Sequence, residues 1–225
     1  MIKFYTAIGS YQISKGGYPV ILADGRECAL SAQELLLWSA LAFRIRTYQE
    51  LEAEFYQKER ELHILGELDF EHYLNRLITR RLIVSGKDDT GVDALYDLLG
   101  HLYIQTIPDS FPVKALTFIK LLLSQRMRFR EAALVFHSER LTPAEKQVMA
   151  LLKHQMLSTA EVIQCTAKEK RRLRSNRELM ECLYADGNTD CESIVIDSRT
   201  TDARIPVLSA VANLYLKQRI TFQIL

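Results

Sequence analysis

Leu30-Ser31-Ala32-Gln33-Glu34 and Thr47-Tyr48-Gln49-Glu50 carry one four-residue pattern, and Leu141-Thr142-Pro143-Ala144-Glu145 and Ser158-Thr159-Ala160-Glu161 carry it again. Each is a Ser/Thr-x-x-Glu box. The hydroxyl accepts from the N–H three residues on, and the Glu reaches back to the N–H of the cap. Every box therefore sets a helix start. Ser31 to Thr47 is 16 residues, and Thr142 to Ser158 is again 16. Behind the boxes Leu37, Leu41 and Leu51 fall opposite Val148, Leu152 and Val162. Equal spacing with matched apolar positions indicates two copies of one unit.

A third helix closes each unit. Asp69 to Arg81 places Phe70, Tyr73, Leu74, Leu77 and Ile78 on one face at helical spacing. It runs into Leu82-Ile83-Val84, a short β-type stretch ended by Ser85-Gly86. In the second copy Val207 to Gln218 leads into Arg219 to Leu225. Arg81-Leu82-Ile83-Val84 aligns with Arg219-Ile220-Thr221-Phe222, so an insertion is expected between about Cys165 and Arg204. Ahead of the first copy, Asp24-Gly25 between β-type flanks predicts a hairpin over Tyr18 to Leu30, and Ile2 to Ile8 reads as a strand.

Residues 1–90 form an N-terminal unit in this reading, 91–130 a helical connector and 131–225 a C-terminal unit. Val92 to Tyr103 has helical periodicity, Pro108 and Pro112 break it, and Val113 to Leu123 resumes it. Ala132 to Phe136 suits either helix or strand. The expected fold class is mainly α with small β-sheets, an α+β arrangement of tandem three-helix units joined by a helical brace.

In this pattern the chain resembles the winged helix-turn-helix superfamily, over about 18–86 and again over 141–225. The first copy has a more particular likeness. Val20-Ile21-Leu22, Asp24-Gly25, Ala29-Leu30-Ser31, Glu34, Thr47, Glu50-Leu51, Phe70, Leu74 and Arg81-Leu82-Ile83 look like the pyrroloquinoline-quinone synthesis protein D family. Its members are peptide chaperones. That resemblance implies binding of a leader peptide by strand addition beside the third helix.

Composition excludes several classes. With 29 Lys+Arg against 28 Asp+Glu and 48% apolar residues, the chain is neither disordered nor strongly charged. No apolar run approaches the roughly 18 residues of a membrane span, and the N-terminus lacks a signal-peptide pattern, so a cytoplasmic protein is expected. The four Cys and five His match no metal-ligand spacing, so no metal or other cofactor is expected. Gly16-Gly17 lacks the Lys-Ser/Thr of a phosphate loop, and no GxSxG or HExxH occurs. The expectation is that the chain is not an enzyme. Trp38 lies on an apolar helical face and reads as core.

Charge is unevenly placed. Residues 1–90 hold 11 basic and 13 acidic side chains, and 91–225 hold 18 and 15. The excess concentrates in Lys168, Lys170, Arg171, Arg172, Arg174 and Arg177, with a smaller cluster at Arg126, Arg128 and Arg130. Such runs neutralise phosphates. On the third helix, Asn75, Arg76, Thr79 and Arg80 are the types that read base edges and hold phosphates. Against this, Glu50, Glu52 and Glu54 make the second helix acidic, and the apolar Val207 to Gln218 suits a core or dimer contact. These residues point first to a DNA-binding transcriptional regulator, homodimeric to match a two-fold operator on double-stranded DNA. The alternative is a peptide- or protein-recognition module, favoured by the acidic first unit and its leading hairpin.

Overall fold

The computed structural model describes residues 1–64, 68–107, 140–185, 187 and 189–224. All four boxes close with both of their hydrogen bonds. They start α1 (Ala32–Leu41), α2 (Tyr48–Glu61), α5 (Pro143–Leu151) and α6 (Thr159–Ala167). The third helices are α3 (Phe70–Thr79) and α9 (Arg204–Leu216). Between α6 and α9 lie α7 (Asn176–Leu183) and α8 (Cys191–Ser198), within the span read as an insertion.

Among the described residues, three antiparallel three-stranded sheets accompany the helices, giving a mixed α+β fold. In the first, β1 (Ile2–Ala7) is central, between β5 (Arg46–Thr47) and β6 (Ile83–Asp88). The third sheet repeats this order, with β7 (Tyr103–Thr106) between β8 (Leu157–Ser158) and β9 (Ile220–Gln223). The second is a meander of β2 (Ser10–Ile13), β3 (Pro19–Ala23) and β4 (Arg26–Ala29). Asp24 and Gly25 both have positive φ, at 50° and 67°, which makes the β3–β4 turn the two-residue type that the Asp-Gly pair favours.

Several sequence expectations change. β6 continues through Ser85-Gly86 to Asp88, because its pairing with β1 runs the full strand from Ile2 opposite Asp88 to Ala7 opposite Ile83. Helical periodicity suggested one helix from Val92 to Tyr103. Instead α4 (Gly91–Leu99) stops, and Tyr103 joins the central strand of the third sheet. Two antiparallel partners outweigh the local preference there. The register of the closing elements is also one residue from the sequence alignment. Phe4 faces Thr47 and Gly86, and Tyr103 faces Ser158 and Gln223. Ile83 therefore corresponds to Ile220, and Arg81 corresponds to Gln218, not Arg219. Both residues hold the left-handed conformation after their helix, with φ of 56° and 57°. Matching Arg with Arg had shifted the frame. The stretch 113–123, the cluster at Arg126, Arg128 and Arg130, and Ala132 to Phe136 lie outside the described residues.

One apolar core runs through both halves. The paired positions Leu37 and Val148, Leu41 and Leu152, and Leu51 and Val162 are all buried, as are Phe70, Tyr73, Leu74 and Leu77. Trp38 is buried too, and its Nε1 donates to the Ile8 carbonyl at 3.0 Å. The halves are locked by Tyr215 of α9. Its ring lies 5.5 Å from that of Phe43 and 4.6 Å from that of Phe222. Its hydroxyl accepts from the Phe43 N–H at 3.0 Å and reaches the Leu41 carbonyl at 3.2 Å. α4 packs so closely on the first sheet that a Cβ on Gly86 would fall 2.1 Å from the Leu98 nitrogen.

Candidate recognition cleft and basic surfaces

α3 starts at Asp69, whose Oδ1 accepts from the His72 N–H at 3.0 Å. Its amphipathic spacing buries one face and turns the other outward. The structure brings Asn75, Arg76, Thr79 and Arg80 together there, with His72, around a shallow depression of about 310 Å³. Asn75, Arg76 and Thr79 are exposed, and Arg80 is half-buried.

Their hydrogen bonds change what these groups offer. The Glu34 side chain, which closes the first capping box, is 2% exposed. Its Oε2 accepts from the Ser31 N–H at 2.8 Å. Its Oε1 lies 3.2 Å from both Arg76 Nε and Arg80 Nη1. Both arginines therefore compensate a buried carboxylate, which carries no solvent shell of its own. Thr79 Oγ1 donates back to the Asn75 carbonyl at 2.9 Å. Sequence reasoning had assigned Glu34 a cap and had not linked it to Arg76 or Arg80. That link joins residues up to 46 positions apart.

Arg80 makes a second contact. Its Nη2 donates to the Ala29 carbonyl on β4 at 2.7 Å. β4 is an edge strand of its sheet. In the two-residue hairpin, Ala23 faces Arg26 across a hydrogen-bonded pair, and pair types alternate from there. Glu27 and Ala29 consequently direct their N–H and C=O away from β3. The carbonyl that Arg80 finds agrees with this alternation. Between β4 and the end of α3 opens a cleft of about 440 Å³, lined in part by Asp24, Arg26, Cys28, Thr79, Arg80 and Arg81. Three cations and one carboxylate face it. Arg26, Arg81 and the outward edge of β4 were missed by the sequence reading. The signal available for them was the Asp24-Gly25 turn, which fixes the alternation.

The second group of candidates lies in the other half. Lys168, Lys170, Arg171, Arg172 and Arg174, the core of the basic run, occupy the loop between α6 and α7. Only Arg177 is helical. The helix stops because Glu169 adopts φ of 55°, and Leu173 then turns inward and is fully buried. Arg171, Arg172 and Arg174 are left exposed around that anchor. Lys168 Nζ donates to the Cys182 carbonyl at 2.7 Å, and Arg177 pairs with Glu181 at 2.8 Å. On α2, Glu54 is surrounded by Arg44, Arg46 and Lys58, so its charge is largely compensated. On α9 the positions matching His72, Asn75, Arg76, Thr79 and Arg80 hold Ser209, Ala212, Asn213, Leu216 and Lys217, and Lys217 pairs with the buried Glu145.

Among the described residues no group of three or more His, Cys, Asp or Glu is placed to hold a metal ion, and no helix is long and apolar enough to cross a membrane. Neither a protein-family model, nor a curated protein, nor a solved structure matches the chain.

Proposed function

We propose that the chain is a non-catalytic recognition module that takes an extended, acidic peptide segment as an added strand on β4, with the end of α3 as the opposite wall. The observation that carries this reading is the outward edge of β4. Glu27 and Ala29 direct backbone donors and acceptors outward along that edge, beside the cleft, and the Arg80 guanidinium already stands where an incoming N–H would meet the Ala29 carbonyl. Main-chain pairing of this kind gives affinity, while pockets for alternate side chains give selectivity. Arg26, Arg80 and Arg81 outnumber Asp24 in the lining, which favours carboxylates on the peptide. On binding, Arg80 exchanges the Ala29 carbonyl for a peptide carboxylate.

The test uses the full chain labelled with ¹⁵N and a capped synthetic peptide alternating Glu and Val. The expected result is saturable shifts of the Glu27 and Ala29 amides, weakened by added salt. Glu27→Pro removes an outward donor at an edge that tolerates proline, and binding should be lost. A flat titration would overturn the reading.

A second reading rests on a different observation, the exposure of Arg171, Arg172 and Arg174 around buried Leu173. Here the loop holds phosphates of double-stranded DNA, and Asn75, Arg76 and Thr79 approach base edges, with a second copy of the chain supplying the other half-site. Fluorescence anisotropy with duplex DNA over a salt series separates the two. Salt-dependent binding that disappears when all three loop arginines become Glu would move the conclusion to a DNA-binding regulator.

A further inference from the structure

The meander has a second edge, β2, on the side away from β4. Its pairing with β3 sets Ser10 opposite Leu22, Tyr11 opposite Ile21, Gln12 opposite Val20 and Ile13 opposite Pro19. Just beyond, the Ser14 N–H donates to the Tyr18 carbonyl at 2.9 Å. Ser14 therefore turns its backbone groups inward, and the alternation of antiparallel pairs does the same for Gln12 and Ser10. Counting from the Asp24-Gly25 turn agrees, since Leu22 and Val20 then bond toward β2. The N–H and C=O of Tyr11 and Ile13 consequently point away from the sheet. Among the described residues no backbone group pairs with that edge. The two side chains share one face and are 52% and 68% exposed. Ser10-Tyr11-Gln12-Ile13 holds no charge and no proline, the usual devices that keep an edge from pairing.

We propose that β2 pairs with β2 of a second copy of this chain, antiparallel about a two-fold axis at Gln12. The edge is its own complement. With the axis there, Tyr11 lies opposite the partner's Ile13, and Ile13 lies opposite the partner's Tyr11. These are the residues whose donors and acceptors point outward, so each opposition makes both of its hydrogen bonds. Each Tyr11 ring covers the partner's Ile13, an aromatic and β-branched pair of the kind that stabilises antiparallel strands. Gln12, itself exposed, meets the partner's Gln12 in the closely spaced position between them. A charged segment finds no opposite charge on this strand, whereas two neutral copies bring no like charges together across the axis. The two meanders become one continuous sheet with a β4 edge at either end, so both peptide clefts stay open. The pairing goes beyond the peptide reading and stands without it. Strands of 4 residues cover less than the roughly 1,200 Å² of a lasting complex, so the dimer dissociates on dilution.

Sedimentation velocity on the full chain, from low micromolar to millimolar protein, should show monomer passing to dimer as concentration rises. Ile13→Pro removes an outward N–H and spares the bonds to β3, so it should stay monomeric over the same range. Ile13→Lys keeps the backbone donor but puts a charge in the seam, and should weaken the dimer roughly tenfold. It covers the case of a proline variant that folds poorly. Gln12→Cys tests the register. Under mild oxidation the new thiols on the axis should join into a covalent dimer, mapped by mass spectrometry against the unaltered chain, and those of Tyr11→Cys should not. A monomer at every concentration would overturn the proposal. So would a dimer that both Ile13 variants leave unchanged, or one that Gln12→Cys fails to cross-link.

Discussion

Lys217 Nζ lies 2.9 and 3.0 Å from the two oxygens of Glu145, a carboxylate whose side chain is fully buried. The pair occupies in the second half the place that Arg80 and Glu34 occupy in the first. In both, a capping-box Glu at the start of a unit meets the cation that caps its third helix. This gives a physical reason for a capping Glu at these two starts beyond the cap itself: it also anchors the closing helix.

Removing one partner should be costly. Lys217→Met leaves the Glu145 charge buried with no cation beside it and only Thr142 to hold it. We expect a loss of roughly 3 kcal/mol, read from denaturant unfolding. Adding Glu145→Gln to the same chain should restore a large part of it. If the double variant were as unstable as the single one, charge compensation would not be the cause.

The same carboxylate gives a pH dependence. Burial acts to raise Glu145, but its bonds to Lys217 and Thr142 outweigh burial and hold it below its ordinary value of 4.5. The charged form is thus favoured by folding. The stability it contributes is complete above the unfolded-state value and is lost as pH falls through the lower folded value. Thermal unfolding followed from neutral pH into the acid range should show Tm dropping there, and Glu145→Gln should flatten part of that drop. Glu50, lowered by its bonds to Thr47, contributes in the same direction.

Tyr215→Phe tests how the halves are joined. It keeps the ring contacts with Phe43 and Phe222 but removes the acceptor of the partly buried Phe43 N–H. An unmade buried hydrogen bond costs about 1–3 kcal/mol. The variant should unfold earlier, still in one transition, because one core spans both halves.

Gly86→Ala should be among the most damaging single-methyl additions. The new carbon would meet the Leu98 nitrogen and Cα and the Ala94 carbonyl, all backbone atoms that cannot rotate away. α4 must lift from the sheet, at a cost of about 3 kcal/mol. Unchanged stability in a chemical-denaturation curve would show that α4 is not held where it lies.

In the α6–α7 loop, neighbours should respond oppositely. Leu173→Ala empties a buried site and should cost about 2–5 kcal/mol. Arg171→Glu, Arg172→Glu and Arg174→Glu should each stay within about 0.5 kcal/mol, because the side chains are exposed. Equal effects at Leu173 and its neighbours would contradict the anchored-loop geometry.

The sequence alone determined the starts of α1, α2, α5 and α6, the β3–β4 turn and the apolar faces of the third helices. These rest on interactions within about four residues, which composition and spacing specify directly. Tertiary structure decided the rest. Tyr103 became strand because β8 and β9 lie on either side of it. Ile83 came to match Ile220 because both face the same position of a central strand. Arg76 and Arg80 turned from free cations into partners of Glu34, and the edge of β4 came to face α3. Each outcome depends on groups tens to hundreds of residues apart, whose meeting is set by how the core closes and leaves no local mark in the sequence.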